Sequence, residues 1–416
     1  MKTMNKAVRV LRLAGQAILA TALVGGTAVA AQDKGPIKIL ALDVKSGAFK
    51  DIGDRYQLGV QFAVDELNAA GGIDGRKIDL LVDDSQLKPD VAQRKALKYV
   101  LDDDVKVIIG GTGSNVVKAL AQVANNNKVA LVLYSGEDDA ITGEDFNPSV
   151  FRLSLSTSMH ANATVAGLAN RPEKRFYFLH QDYSFGHALA ASYKKALDRM
   201  KPGWQLAGED YHPLSTRDFS PYIQKIAASN AEMVLSGNWG ADLTILHRQA
   251  ADFGLKKPFG HIFLSDPVAM KEIDRAAVGS VTSEIYMLGV DNPKNKAFID
   301  AWHAKNKDTD NPWPAFAIGK GYDTMMFLAA AIKKAGSEEL APLTQAWEGM
   351  EFDGVMGKQV MRACDHQIQS DVAFAEIVQG PGKFYPFSFI GPVTLIPADQ
   401  VSVPPKETGN KRCMGS

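Results

Sequence analysis

The sequence predicts an α/β protein of two doubly wound lobes, each a parallel sheet with helices on both faces. Three observations carry that expectation. Runs of β-branched and apolar residues alternate with stretches whose apolar positions repeat at helical spacing, the pattern of a parallel sheet covered by helices. The alternation breaks near Ser154-Leu155-Ser156, where small polar residues intervene, and then begins again. At 416 residues the chain is also too long for one ordinary domain.

The first half opens with the strand Ile37–Leu42. Asp54 is placed to cap a helix whose Leu58, Phe62, Ala63, Val64 and Leu67 are spaced for one buried face. Gly71-Gly72 stops it, and Asp74-Gly75 has the chemistry of a tight hairpin turn before the strand Lys77–Val82. A helix over Pro89–Leu101, a strand at Val107–Ile109, another helix and the strand Val129–Leu133 complete the unit. In the second half, strands are expected at Arg175–Leu179, Trp204–Gly208, Met233–Gly237, His261–Leu264 and Ile285–Leu288. Helices fall between them at Ser184–Met200, after Ser220-Pro221, and at Asp242–Phe253. Three helices follow, Pro293–Lys305, Pro314–Lys334 and Leu340–Trp347, then strands at Ala373–Val378, Tyr385–Phe389 and Val393–Ile396. Such a long coda means that the chain crosses between the lobes more than once.

Apolar residues make up 46% of the chain and charged residues 22%, enough to bury large cores. Residues 1–31 read as a secretory signal peptide: Lys2, Lys6, Arg9 and Arg12 lead an apolar stretch from Leu13 to Val24, and Ala28-Val29-Ala30 offers a small-residue cleavage site. The rival is a membrane anchor, which Gln16, Thr21 and Gly25-Gly26 make too short and too broken. Removing the segment leaves 42 basic against 47 acidic residues, a net charge of −5, which argues against nucleic acid or an anionic membrane as partner. The two cysteines, Cys364 and Cys413, are read as a disulfide holding the C-terminal tail, with two free thiols as the alternative. No His or Cys pair has metal-ligand spacing, and Gly111–Val116 lacks the third glycine of a dinucleotide fingerprint, so neither metal nor cofactor is expected.

Open α/β sheets bind ligands at the carboxyl ends of their strands, so two facing sheets define a cleft. The loops that would border it are Asp43–Gly53, Gly110–Asn115 and Tyr134–Asp139 in one half, and His180–Phe185, Asn238–Gly240 and Ser265–Pro267 in the other. In Gly110-Gly111-Thr112-Gly113-Ser114 a glycine-rich turn leads into a helix for which Ser114 is a natural N-cap. Helix-start N–H groups lack intrahelical partners and favour an anion, so the turn is a seat for a carboxylate; an ordinary βα turn is the alternative. Asp83-Asp84 and Asp102–Asp104 read as turns and solvated helix ends, and Asp365-His366 as a structural hydrogen bond.

Taken in order, Asp65–Lys77 (DELNAAGGIDGRK), Gly110–Ser114, Gln181–Gly186, Asp218–Tyr222 and Asn238–Gly240 resemble the type I periplasmic solute-binding proteins of branched-chain amino acid and amide importers, the leucine/isoleucine/valine-binding group. The first motif is specific; the rest persuade as a series. The resemblance implies two Rossmann-like lobes joined by three crossovers, with the ligand closed between them. Its lobes would be 36–155 with 290–358 and 156–289 with 359–400, followed by a tail over 401–416. Ser114 would hold the ligand's carboxylate together with backbone N–H groups, and the loop Ser135-Gly136-Glu137 would complete that grip. Tyr183 and Trp239 would cover the ligand, and Asp266 lies near the acid that pairs with an amino acid's ammonium. Three departures stand out: Glu137 replaces a hydroxyl residue, Ile52 sits where a tyrosine often lines the pocket, and the leucine binder's early disulfide is absent.

Bland alternatives accompany each residue: Tyr183 as a surface or hinge residue, Trp239 as a core tryptophan, Asp266 as a helix cap before Pro267. Glu137 would repel a ligand carboxylate unless it turns outward or meets a cation. Two function classes follow. One is a periplasmic binding protein, acting as a monomer, that captures a small solute by lobe closure and delivers it to a membrane permease of an ABC importer. The other is a secreted α/β enzyme using the same cleft. For the first, an amino acid is the solute the family implies. An aromatic carboxylate is the rival that Tyr183 and Trp239 suggest, with urea or a short amide behind it.

Overall fold

The computed structural model describes residues 35–415, so the signal peptide expected over 1–31 lies outside the described residues. In chain order the first lobe runs β1 (Ile37–Asp43), α1 (Lys50–Ala69), β2 (Ile78–Asp84), α2 (Pro89–Asp102), β3 (Val107–Gly110), α3 (Ser114–Asn127), β4 (Ala130–Leu133) and β5 (Val150–Arg152). Its strands form one parallel sheet in the order β2-β1-β3-β4-β5. Strands β3 and β4 are buried at every position, which is why their sequences are unbroken apolar runs. At Asp74-Gly75 both central residues have positive φ, 50° and 83°, and Ile73 and Arg76 exchange backbone hydrogen bonds across them. This is the mirror-image turn that an Asp-Gly pair favours.

The second lobe continues with α4 (Thr157–Gly167), β6 (Arg175–Gln181), α5 (Ser184–Met200), β7 (Gln205–His212), α6 (Ser220–Ala228), β8 (Met233–Ser236), α7 (Ala241–Asp252), β9 (Phe259–His261), α8 (Pro267–Ile273) and β10 (Val281–Glu284). The chain then returns to the first lobe as α9 (Pro293–Asn306), α10 (Ala317–Ala335) and α11 (Leu340–Trp347). A small antiparallel sheet follows, β11 (Glu351–Gly354), β12 (Gly357–Met361) and β13 (Ile368–Ser370). Last come β14 (Val372–Val378), β15 (Phe389–Ile390) and β16 (Thr394–Ile396), which extend the second sheet in antiparallel sense beside β10. That sheet is ordered β15-β14-β10-β9-β8-β6-β7, with β16 also on β14.

The return of α10 onto α1 positions the site. A Cβ on Gly59 would lie 2.0 Å from the Ile318 carbonyl oxygen, and one on Gly321 would lie 2.3 Å from that of Tyr56. Only glycine allows the two helices to approach this closely. Cys364 and Cys413 are bonded, fixing the tail as expected.

Several expectations need correction. Asp54 is not a cap: α1 begins at Lys50 after a short 3-10 turn, and Asp54 pairs with Lys45 and Lys50 along its outer face. Leu58 faces solvent, 41% exposed, because the buried stripe of α1 runs through Ile52, Arg55, Tyr56, Gly59 and Val60 before it reaches Phe62, Ala63 and Val64, which are buried as expected. Gly113, with φ 86°, is the N-cap of α3, and its carbonyl accepts from Val116 and Val117, so Ser114 is the first helical residue. Ile285–Leu288 is buried but forms no strand, because the chain there is leaving the sheet for the first lobe; β10 lies just before it. Likewise β9 ends at His261, the expected strand at Tyr385–Phe389 shrinks to Phe389–Ile390, and β7 runs on to His212. Apolar runs that are buried as loops carry the same composition as buried strands.

Candidate functional site

The carboxyl ends of both sheets border one cavity. All seven residues singled out from the sequence line it: Ser114, Ser135, Gly136, Glu137, Tyr183, Trp239 and Asp266. So does Ile52.

The first lobe supplies a wall of hydroxyls and backbone. Ser114 Oγ accepts from the Asp138 N–H at 3.2 Å, which leaves its hydrogen to donate. The N–H groups of Gly113, Ser114 and Gly136 donate to no other described residue. The loop 135–138 is held by the buried Arg152, whose Nη1 donates to the carbonyls of Gly136 (3.1 Å) and Asp138 (2.7 Å). Gly136 has φ 80°, and a Cβ there would meet the Val117 side chain at 2.7 Å, so the loop needs glycine at this point. Beneath it, Asp43 Oδ2 accepts from Thr112 Oγ1 at 3.0 Å and Tyr134 Oη at 2.6 Å. Burial pushes the Asp43 pKa up despite these bonds.

The second lobe supplies rings. Trp239 Nε1 donates to Tyr183 Oη at 2.9 Å, and Phe49 lies against the indole at 4.2 Å. The turn carrying Trp239 is gripped from behind by histidines. His261 Nε2 donates to the Asn238 carbonyl at 2.6 Å, His247 Nε2 lies 3.0 Å from His261 Nδ1, and His212 Nε2 lies 3.1 Å from Asn238 Oδ1. Burial pushes the His261 pKa down to about 3 and that of His247 well below its ordinary value, so both rings are neutral.

Two ionic groups join the lobes. Lys320 of α10, fully buried, donates to Glu137 Oε1 at 3.2 Å, lies 3.3 Å from Glu284 Oε1, and sits over the rings of Tyr56 and Phe316. His160 Nε2 of α4 lies 3.0 Å from Glu137 Oε2. Burial would raise the Glu137 pKa, but His160 and Lys320 outweigh it and bring it down to about 2. For Glu284 burial wins, and its pKa rises. The expected conflict between Glu137 and an anionic ligand is thus met by a cation. Glu137, His160 and Glu284 could present three atoms to a metal, but the Lys320 ammonium supplies the positive charge among them. Asp266 both caps α8, accepting from the Val268 N–H, and binds Arg55 Nη2 of α1 at 2.6 Å.

Sequence reasoning missed Tyr56, Phe263 and Phe316 in the lining, and Arg55 and Lys320 behind it, whereas Thr112 and Phe185 fall within the loops it expected at the cleft. Phe316 has φ 42°, a strained conformation at the start of α10 where the ring meets the cavity. A lysine in the first turn of the apolar helix Ala317–Ala335, far from Lys333 and Lys334 at its other end, was the available signal for Lys320. Asp365 and His366 are structural: Asp365 pairs with Arg362, and His366 bonds Val150 and Glu348.

Two doubly wound sheets whose carboxyl ends face one cavity define a type I periplasmic binding fold. The description "periplasmic binding protein" matches residues 36–381, and the chain belongs to that family. Leu/Ile/Val-binding protein homolog 4 of Brucella melitensis is 25% identical over 419 residues, covering 94% of this chain and 97% of that protein. A periplasmic binding protein from Burkholderia mallei superposes with a TM-score of 0.80 at 23% identity, covering 90% of this chain and 98% of that one. An ABC-transporter solute-binding protein from R. palustris in complex with benzoate gives 0.77 at 21% identity, covering 87% and 98%. The family is the exported, substrate-binding component of ABC importers.

Proposed function

We propose that this chain, acting as a monomer in the periplasm, captures a small carboxylate-bearing solute and delivers it to the membrane permease of an ABC importer. The observation that carries the reading is the first-lobe wall. The Ser114 hydroxyl and the N–H groups of Gly113, Ser114 and Gly136 have hydrogens to offer on one cavity. A carboxylate leaving water needs such donors, because burying it unpaired costs several kcal/mol. Tyr183 and Trp239 close over the rest of the solute. The bodies that move are 36–155 with 290–358 and 156–289 with 359–400, and ligand contacts to both shift the population towards the closed form.

A Leu/Ile/Val-binding homolog and a benzoate-bound neighbour suggest different solutes, but each presents a carboxylate. No turnover is expected, in contrast to the enzyme reading. Calorimetry on the mature chain with amino acids, aromatic acids and amides tests the proposal. One carboxylate bound per chain, with compaction in small-angle scattering and the solute recovered unchanged, supports it. Chemical conversion of the solute favours the enzyme, and retention of amides alone removes the carboxylate.

A further inference from the structure

We propose that the solute is an aromatic monocarboxylate without an ammonium group, and that Arg55 sets this preference by masking Asp266. The inference rests on the carboxylate-capture reading above and narrows it. Two acids line the cavity, Glu137 and Asp266, and each is already answered by the protein's own cations. Asp266 Oδ1 accepts from the Val268 N–H at 2.9 Å, and Oδ2 accepts from Arg55 at 2.6 Å; the two side chains are only 6% and 5% exposed. Glu137 is shared between Lys320 and His160.

An amino acid's ammonium brings three donors and a full charge into this space. To use Asp266 it would have to displace Arg55, whose guanidinium would then be buried without its carboxylate. Arg55 Nε already lacks an acceptor among the described residues, so nothing nearby takes up the load. To use Glu137 it would enter beside the Lys320 ammonium, like charge against like. Beyond the donor wall, Ile52 and Gly240, the rest of the lining is aromatic: Tyr56, Tyr183, Phe185, Trp239, Phe263 and Phe316. Rings pack favourably on rings, edge to face or offset. A carboxylate attached to an aromatic ring therefore matches the donors at Ser114 and the rings around them, and asks for no acid.

The link to Arg55 gives the proposal a second handle. Arg55 stands on α1 of the first lobe, and Asp266 starts α8 of the second, so the pair that hides the acid also bridges the lobes. Replacing the arginine with an uncharged chain of similar length would expose a carboxylate to the cavity and create the ammonium partner that the native site lacks.

The test is calorimetry on the mature chain with two ligands that differ only in the ammonium group, 3-phenylpropionate and phenylalanine, with benzoate and leucine alongside. The expected result is 3-phenylpropionate binding at least about tenfold more tightly than phenylalanine. In Arg55→Met, whose fold is checked by circular dichroism, that ratio falls about tenfold or inverts. If Arg55→Met does not fold, the native ratio decides alone. Phenylalanine or leucine bound as tightly as the des-amino acid overturns the inference and leaves carboxylate capture standing. Binding of none of the four overturns both.

Discussion

The two walls of the cleft recognise different things by different means. The donor wall of the first lobe is backbone and hydroxyl, set by glycines and tied down by Arg152 and Asp43, with Tyr56 and Phe316 adding two rings from the same lobe. The second-lobe wall is side chain, a Tyr183–Trp239 pair held by the His261 and His212 rings and Asn238. Main-chain donors placed by a tight turn cannot rotate away, which suits the recognition of a charge. Rings can tilt, which suits the shape of a variable apolar group. The division says that charge recognition and shape recognition can be damaged separately.

The largest expected effect strikes both walls at once. Lys320→Met leaves Glu137 and Glu284 buried without their shared cation, and should lower stability by about 3–5 kcal/mol in urea unfolding. An unchanged midpoint would mean that the ionic group contributes nothing to joining the lobes.

Acid should separate the walls. Burial holds the pKa of His180 and of His261 down to about 3, against 6.5 for the free side chain. A base with a depressed folded pKa gives stability that is complete above the unfolded value and is lost as the pH falls below it. Each such histidine contributes a slope of about 1.4 kcal/mol per pH unit, so going from pH 6.5 to 5.5 should cost about 2–3 kcal/mol. Glu137, lowered to about 2 from 4.5, has the opposite charge type and begins to lose its contribution only below about 4.5. The second lobe is therefore the first to weaken, and a urea midpoint flat between these two pH values would contradict the histidine account.

Ser114→Ala removes one donor to a charged group and should weaken carboxylate binding by about 1.5–3 kcal/mol, and because it also takes the acceptor from the buried Asp138 N–H it should lower stability by about 1–3 kcal/mol. Calorimetry beside urea unfolding separates the two. The smallest effect is expected for Tyr183→Phe, which takes away the acceptor of the Trp239 indole and should cost about 1 kcal/mol of affinity.

The strand–turn–helix units were legible because local pattern decides them: the apolar runs at Val107–Ile109 and Val129–Leu133, and the Asp74-Gly75 turn, need no distant partner. The site was legible at strand ends, where topology alone brings Ser114, Ser135, Gly136, Glu137, Tyr183, Trp239 and Asp266 towards one cavity. What stayed hidden depended on contacts between distant segments. Arg55 meets Asp266 across 211 residues of sequence, and Lys320 meets Glu137 across 183. The role of each acid is set by the cation it finds, and no local spacing records that. Ser114 moved from cap to first helical residue for a related reason, since Gly113 can adopt a positive φ and takes the turn itself.

A crystal structure of the mature chain with its solute bound tests the central claim most directly. The account predicts a carboxylate oxygen within about 3 Å of Ser114 Oγ and of the N–H groups of Ser114 and Gly136, with the solute's apolar part between Tyr183 and Trp239. A carboxylate turned towards the second lobe, or a solute seated outside the cleft, would contradict it.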